Sequence, residues 1–368
     1  MLAHDAVRRL ASVTIGPGEP VLAAVRRLDA AGSGALLVCD DGGVLVGIVT
    51  DGDIRRAILR GVSFDAAVGS IATSRPVVGA AELSERAALE LMDHAAGFPV
   101  HQLPLVDDAG RAAGLLLRRD LVSPERLGLS ALIMAGGLGT RMLPLTETVP
   151  KPMLRICDRP LLERTVSSLK RAGISRVAIS TAHLADRITT YFGDGRALGV
   201  DLQYVSEIQP LGTAGALRLL EDDASPTLVI NGDILTSLPF PDLVAFHRRE
   251  GAELTVGMRR CELHLPYGVL DCDGARIRAV REKPRQSFWA NAGIYVVEPS
   301  VRDLIPEAAR FDMTDLIEKL LADGRRVAGF PILEYWLDIG QPADYIRAEA
   351  DSRAARVGPE DGRVAVQP

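Results

Sequence analysis

Between residues 129 and 350, short apolar runs alternate with amphipathic stretches, and this alternation limits the fold more than any other feature of the chain. Apolar runs of strand length occupy 129–134, 176–180, 202–206 and 227–230, while helical patterning covers 185–192 and 213–220. Another helix is expected after Asp158, with that residue as N-cap, Pro160 at its first position and Gly173 past its end. A helix between two strands carries the chain back across the sheet, so successive strands run the same way. The pattern predicts an α/β fold with a mainly parallel sheet and helices on both faces. Such sheets hold ligands beyond the carboxyl ends of their strands. Two segments fall there: Ala135-Gly136-Gly137-Leu138-Gly139-Thr140-Arg141 after the first strand, and Asn231-Gly232-Asp233 after the fourth.

The front third follows a different rule. Two similar passes run through 13–122, each with a helix, an apolar strand, an Asp/Gly turn and a second strand. Gly47 recurs as Gly114 and Asp53 as Asp120 at one constant offset. Two copies of so long a repeat describe paired modules rather than a solenoid. The expected division is 1–122 as a tandem pair (about 1–68 and 69–122), 129–352 as the main domain, and 353–368 as a disordered tail without apolar period.

Composition excludes several classes. The 368 residues carry a formal net charge of −6, so no global field favours nucleic acid or an anionic membrane. No apolar run approaches the ~20 residues that span a bilayer, and 1–17 lacks the apolar core of a secretory signal. Cys39, Cys157, Cys261 and Cys272 are too scattered for a zinc knuckle or a CxxC pair, and the last three are read as ordinary small apolar residues. A soluble, reduced, cytoplasmic protein is expected. The six histidines are dispersed; His183 and His264, nearest the motifs, are read as structural or surface residues.

Only Lys151, Lys170, Lys283 and Lys319 are lysine among 42 basic residues. Two of the four precede proline, in Pro150-Lys151-Pro152 and Glu282-Lys283-Pro284. An ammonium is a compact point charge for a phosphate oxygen, a role arginine's planar fork fills poorly. The flanking prolines are expected to hold Lys151 in a stiff extended segment. The glycines of 136–139 let backbone N–H groups approach a phosphate chain; a plain strand-to-helix turn is the other reading. The loop lacks the GxxxxGK[ST] of a P-loop, and Met142 stands where a GxGxxG fingerprint needs its last glycine. Asp233, and Asp338 in Trp336-Leu337-Asp338-Ile339-Gly340, are turn formers or ligands for a hard cation such as Mg²⁺.

Together these motifs, with Pro-Leu-Gly-Thr-Ala-Gly-Ala-Leu at 210–217 and Asn-Ala-Gly-Ile-Tyr at 291–295, resemble the sugar-phosphate nucleotidyltransferases over 129–350. The 210–217 segment, with Pro-Tyr-Gly-Val at 266–269 and Phe-Asp-Met at 311–313, is most similar to mannose-1-phosphate and glucosamine-1-phosphate guanylyltransferases. Residues 1–122 resemble a tandem CBS-domain pair. The resemblance implies a Rossmann-like, mainly parallel sheet and a Mg²⁺-dependent reaction of an NTP, GTP favoured, with a sugar 1-phosphate. It implies Arg141, Lys151 and Lys283 as catalytic residues. The nucleotide would meet Ala135, Gly136, Gly137, Gly139, Thr140, Gln209, Leu211, Gly212 and Thr213; Glu282, Lys283, Asn291 and Gly268 would hold the sugar phosphate, and Asp233 and Asp338 the metal. In the front pair, Thr50 and Asp53 would bind an adenine nucleotide, while Leu117 spoils the second copy. The plainer alternatives are that Asp53 N-caps a helix over 54–59 and that the pair only dimerises. A homo-oligomer with no nucleic-acid or membrane partner is expected. No hexapeptide β-helix follows 350, so no fused acyltransferase of that kind is expected. A metal-dependent glycosyltransferase and an idle nucleotide-sensing regulator are the rival functions.

Overall fold

The structure, a computed structural model, describes residues 10–94, 100–121, 127–207, 209–220, 225–307 and 309–354. The expected tail lies outside these apart from Arg353 and Ala354, where the helix Pro342–Arg353 ends. The chain divides into two compact units, Met1–Glu125 and Arg126–Pro368.

In the front unit the repeat is visible in register. Ala35–Cys39 pairs antiparallel with Leu45–Thr50, and Gln102–Val106 pairs antiparallel with Ala112–Leu117. Each copy adds a short parallel strand, Thr14–Ile15 or Gly79–Ala80, to make a three-stranded sheet. The copies meet through their turns: Leu45 N–H donates to Gly110 O, and Ala112 N–H to Gly43 O, both at 3.0 Å.

The main unit is built on a seven-stranded sheet ordered 201–206, 176–181, 130–134, 227–231, 285–297, 254–264, 327–331. The first four strands are parallel, 285–297 runs antiparallel to both neighbours, and 327–331 is parallel to 254–264. The mainly parallel α/β sheet is therefore present. Its central strands are apolar on both faces, with Ala131, Leu132, Ile133, Leu228, Val229 and Ile230 fully buried, as sheets covered by helices on both sides require. From Ser130–Met134 the chain moves outward to 176–181 and 201–206, then returns to the opposite side for Thr227–Asn231. The reversal opens a crevice at the carboxyl ends of 130–134 and 227–231, where this architecture seats ligands.

Local chemistry shifts some boundaries. Asp158 does not cap the following helix: Arg159–Pro160 pairs with Arg155–Ile156 as a two-residue ribbon, and Pro160 is the N-cap of Leu161–Arg171. Helix 213–220 is shorter than expected, a four-residue turn Gly212–Gly215 followed by a 3-10 turn Ala216–Leu219. Cys39 is buried, but Cys157, Cys261 and Cys272 are exposed rather than packed as apolar residues. His247 is a buried histidine, hydrogen-bonded to Thr255 Oγ1 at 2.8 Å and Glu298 Oε1 at 3.0 Å.

Candidate active site

The glycine loop leaves the central strand with its backbone open. Ala135 N–H is tied to Ser180 O at 3.1 Å, whereas a Cβ added at Gly137 would meet nothing within 4 Å. Gly139 turns the chain at φ 65°, a conformation that disfavours any Cβ. Its carbonyl accepts from Thr146 Oγ1 at 2.8 Å, and a Cβ there would lie 3.2 Å from Lys151 Cβ. The loop thus packs on the lysine segment. Thr140 and Arg141 follow in the 3-10 turn Thr140–Met142, with Arg141 exposed.

Lys151 is not in an extended segment as expected but opens a 3-10 turn, Lys151–Met153, with Pro150 as N-cap. The turn points the ammonium inward. Lys151 is 9% exposed, and its Nζ donates to Asp233 Oδ2 at 2.6 Å. Asp233 follows the Thr227–Asn231 strand, and Ile234–Thr236 then pairs antiparallel with Trp336–Asp338, setting Ile234 opposite Asp338. Ile339 N–H donates to Asp233 O at 3.0 Å, so the two carboxylates are adjacent by backbone register. Asp338 opens to solvent at the site's mouth. Even so, desolvation by the flanking protein and then the Asp233 charge raise its pKa, against the pull of Lys151 and Arg141. A Cβ on Gly340 would lie 3.8 Å from Arg141 Nη1, which draws the arginine into the same group.

Two crowded carboxylates, the pKa of one raised by desolvation and then by the other's charge, fit a hard dication. Asn231 adds a buried Oδ1 with no hydrogen-bond partner. No cluster of three or more His, Cys, Asp or Glu forms a ready cage among the described residues. Mg²⁺ does not need one, because phosphate oxygens and water complete its shell.

On the other flank of the glycine loop stands a residue the sequence reading missed. A Cβ on Gly136 would lie 2.9 Å from Glu207 Oε1, and the other oxygen, Oε2, accepts from Leu211 N–H at 3.0 Å. Glu207 directly follows the strand Asp201–Ser206, and that strand-end position was the available signal. Gln209 is exposed, while Leu211 is 7% exposed and can meet a ligand only slightly through its side chain. Thr213 spends its N–H and its hydroxyl on Asp312 Oδ1, at 2.9 and 3.3 Å. Gly212 at φ 80° lets the backbone approach, since a Cβ there would be 2.7 Å from that same oxygen.

Three of the remaining residues flank an exposed two-stranded ribbon, Val269–Asp273 with Arg276–Arg281, and the fourth, Asn291, lies on the sheet strand Arg285–Val297. Lys283 sits at φ 42° in the turn between Arg276–Arg281 and Arg285–Val297, exposed to solvent beside Glu282. A Cβ on Gly268 would meet Glu282 Oε2 at 3.0 Å, so these two are neighbours. Asn291 Oδ1 accepts from Gly293 N–H at 3.0 Å. The Asn291 side chain also bonds Tyr295, whose phenol is pushed up to about 12 by burial.

In the front unit, Thr50 is the N-cap of Asp51–Leu59, and Asp53 is its third residue rather than the cap. Thr50 Oγ1 accepts from Asp53 N–H at 3.2 Å, while Asp53 Oδ2 accepts from Thr50 N–H at 2.9 Å and Thr50 Oγ1–H at 2.7 Å. Arg56 binds the second oxygen. The pair forms a capping box.

The nucleotidyl transferase family model matches residues 130–354, and the CBS domain model matches 7–60 and 68–124. The chain belongs to the nucleotidyl transferase family. This nucleotidyl transferase is similar to mannose-1-phosphate guanyltransferase beta-B of Xenopus laevis, at 33% identity over 59% of this chain and 63% of that one. It is similar to mannose-1-phosphate guanylyltransferase of Mycobacterium tuberculosis, at 36% identity over 60% and 64%. The chain thus spans less than two thirds of these relatives' length. Among solved structures, a putative glucose-1-phosphate thymidylyltransferase from Bacillus anthracis matches with TM-score 0.52 and 26% identity, over 63% of this chain and 98% of that one. No helix among the described residues is long and apolar enough to cross a membrane.

Proposed function

We propose that the main unit transfers a nucleotidyl group from an NTP to a sugar 1-phosphate, releasing pyrophosphate and an NDP-sugar. The observation that carries this reading is the convergence of Lys151, Asp233 and Asp338 beside an open glycine loop at the sheet's carboxyl end. An attacking sugar-phosphate oxygen displaces pyrophosphate in line at the α-phosphorus, and catalysis then consists of positioning and charge neutralisation. The backbone of 136–140 cradles the triphosphate and Arg141 neutralises the leaving pyrophosphate. Lys151 faces the α-phosphate, where charge grows in the transition state. Lys283 holds the sugar's phosphate, with Glu282, Gly268 and Asn291 around the sugar. Asp233 and Asp338 would hold Mg²⁺, which when bound would neutralise negative charge on the substrates' phosphates. The glycine loop argues against a glycosyltransferase, which releases a nucleoside diphosphate and need not grip a leaving pyrophosphate.

GTP is the favoured donor. Guanine offers two adjacent donors, N1–H and the N2 amine, which match a carboxylate; Glu207 Oε1 lies at the loop with its partner oxygen already fixed by Leu211. The named activity of the relatives points the same way. An adenine nucleotide at Thr50 and Asp53 is proposed as effector, and a homo-oligomer in the cytoplasm as the working form. The test is pyrophosphate release from a panel of GTP, ATP, UTP, CTP and dTTP against mannose, glucose and glucosamine 1-phosphates. GTP with one of these sugars is expected to lead. Turnover of a pyrimidine nucleotide tenfold faster than GTP overturns the base assignment, and no release from any pair overturns the reaction.

A further inference from the structure

We infer that Asp312 is the positioning residue that presets the strap 211–215 for the nucleotide. This rests on the nucleotidyl-transfer reading, which gives the strap a ligand to meet. The strap joins the glycine loop through Glu207, which touches Gly136 on one side and holds Leu211 N–H on the other. By itself the strap is weak. Gly212–Gly215 is a single helical turn, too short to persist unaided, and its first N–H groups have no partner within it.

Those N–H groups are capped by a segment about a hundred residues away. Thr213 N–H donates to Asp312 Oδ1 at 2.9 Å, and Ala214 and Gly215 N–H donate to Phe311 O at 3.0 and 3.2 Å. Phe311 N–H returns a bond to Leu211 O at 2.8 Å, and Met313 N–H donates to Thr213 Oγ1 at 2.8 Å. Asp312 is itself fixed: its N–H bonds Asp315 Oδ2 at 2.8 Å, at the start of helix Met313–Ala322. Arg310 supports the second carboxylate oxygen at 3.3 Å. The Thr213 N–H holds the Asp312 carboxyl below its ordinary value, so the cap stays charged across the working range of pH. Asp312 acts through the strap's backbone. It supplies the acceptor that a lone helical turn lacks, and the strap's shape follows.

The experiment is GTP titration calorimetry on the full chain without sugar phosphate, paired with initial rates and melting curves. Asp312→Ala is expected to raise the GTP Kd and KM about tenfold, leaving kcat and the sugar-phosphate KM within twofold. Asp312→Asn, whose amide oxygen still accepts from Thr213, is expected to recover most of the loss. Should the alanine variant fail to fold, Asp312→Glu moves the carboxylate by one methylene, and its GTP Kd is expected to rise at an unchanged melting temperature. A GTP Kd within twofold of wild type in the folded variant overturns the inference. So does a uniform loss in kcat and both KM values alongside a lowered melting temperature. Wild-type chain that binds no nucleoside triphosphate overturns the nucleotidyl-transfer reading instead, so the two failures are distinguishable.

Discussion

Lys151 and Lys283 both precede proline, yet the structure puts them in opposite surroundings. Lys151 is buried at the base of the crevice, locked to Asp233 at 2.6 Å and packed against the glycine loop. Lys283 stands exposed in the turn between Arg276–Arg281 and Arg285–Val297, among residues that are nearly all exposed. The first is a preorganised charge, its orientation settled by the fold before any ligand arrives. The second must be ordered by the ligand it binds. Preorganised charges act mainly on the transition state, because no reorganisation is needed when charge develops. A charge ordered on binding is expressed mainly in affinity.

The largest expected effect therefore lies at Lys151. Lys151→Ala is expected to cut kcat by about 10²–10³-fold, the scale of losing one preorganised charge contact. Lys151→Arg should recover little, because a planar fork cannot replace a point charge in a pocket sized for it. Removing the ammonium also leaves Asp233 facing Asp338 uncompensated, so the melting temperature is expected to fall unless Mg²⁺ is present. Single-turnover rates together with melts in EDTA and in Mg²⁺ measure both. A kcat within threefold of wild type in Lys151→Ala removes the lysine from the chemistry.

Lys283→Ala is expected to act more weakly, raising the sugar-phosphate KM about tenfold with little change in the GTP KM. Steady-state kinetics with each substrate varied in turn separates the two constants. Equal loss in kcat from both lysine variants would erase the contrast between the two halves of the site.

How far the sequence revealed these halves follows from what each depends on. The sheet and its crevice were legible because strand periodicity and apolar runs are local, and Asn231-Gly232-Asp233 could be placed at a strand end by counting. The Lys151–Asp233 contact was not legible. It depends on a 3-10 turn at Pro150-Lys151 where the flanking prolines suggested extension, and on partners more than eighty residues apart. Glu207 and Asp312 were missed for a related reason: Glu207 is a lone acid in an unremarked stretch, Asp312 stood in the Phe-Asp-Met segment with no role attached to it, and only tertiary packing brings one to Gly136 and the other to Thr213. Thr213 itself was assigned to the base pocket, yet its hydroxyl and N–H are both spent inside the protein. Motifs mark where backbone must come close; they do not say which side chains fill the remaining hydrogen bonds.

The smallest expected effect belongs to the front unit, where the two copies make a comparison of their own. In the first, Thr50 and Asp53 cap each other and Arg56 joins them; in the second, Leu117 stands at the threonine's place and cannot offer a hydroxyl. Loss of a capping side chain costs about 1 kcal/mol, which for a unit of this size is a melting shift of roughly 3–6 °C. Asp53→Ala is expected to show that shift in the front unit's transition, and Asp120→Ala a smaller one. The same variants address the effector. A ligand that binds only the folded chain adds about 2.7 kcal/mol at a hundred times its Kd, which exceeds the cap's contribution, so a lost ligand response is measurable apart from a lost cap. AMP, ADP or ATP is expected to raise the wild-type transition, to leave it unmoved in Asp53→Ala, and to keep its effect in Asp120→Ala. A ligand response that survives in Asp53→Ala separates the carboxylate from the nucleotide, and its only role is then the capping box. No response to any of the three nucleotides in wild type makes the front pair a packing module, and the catalytic unit is then expected to run at the same rate with or without them.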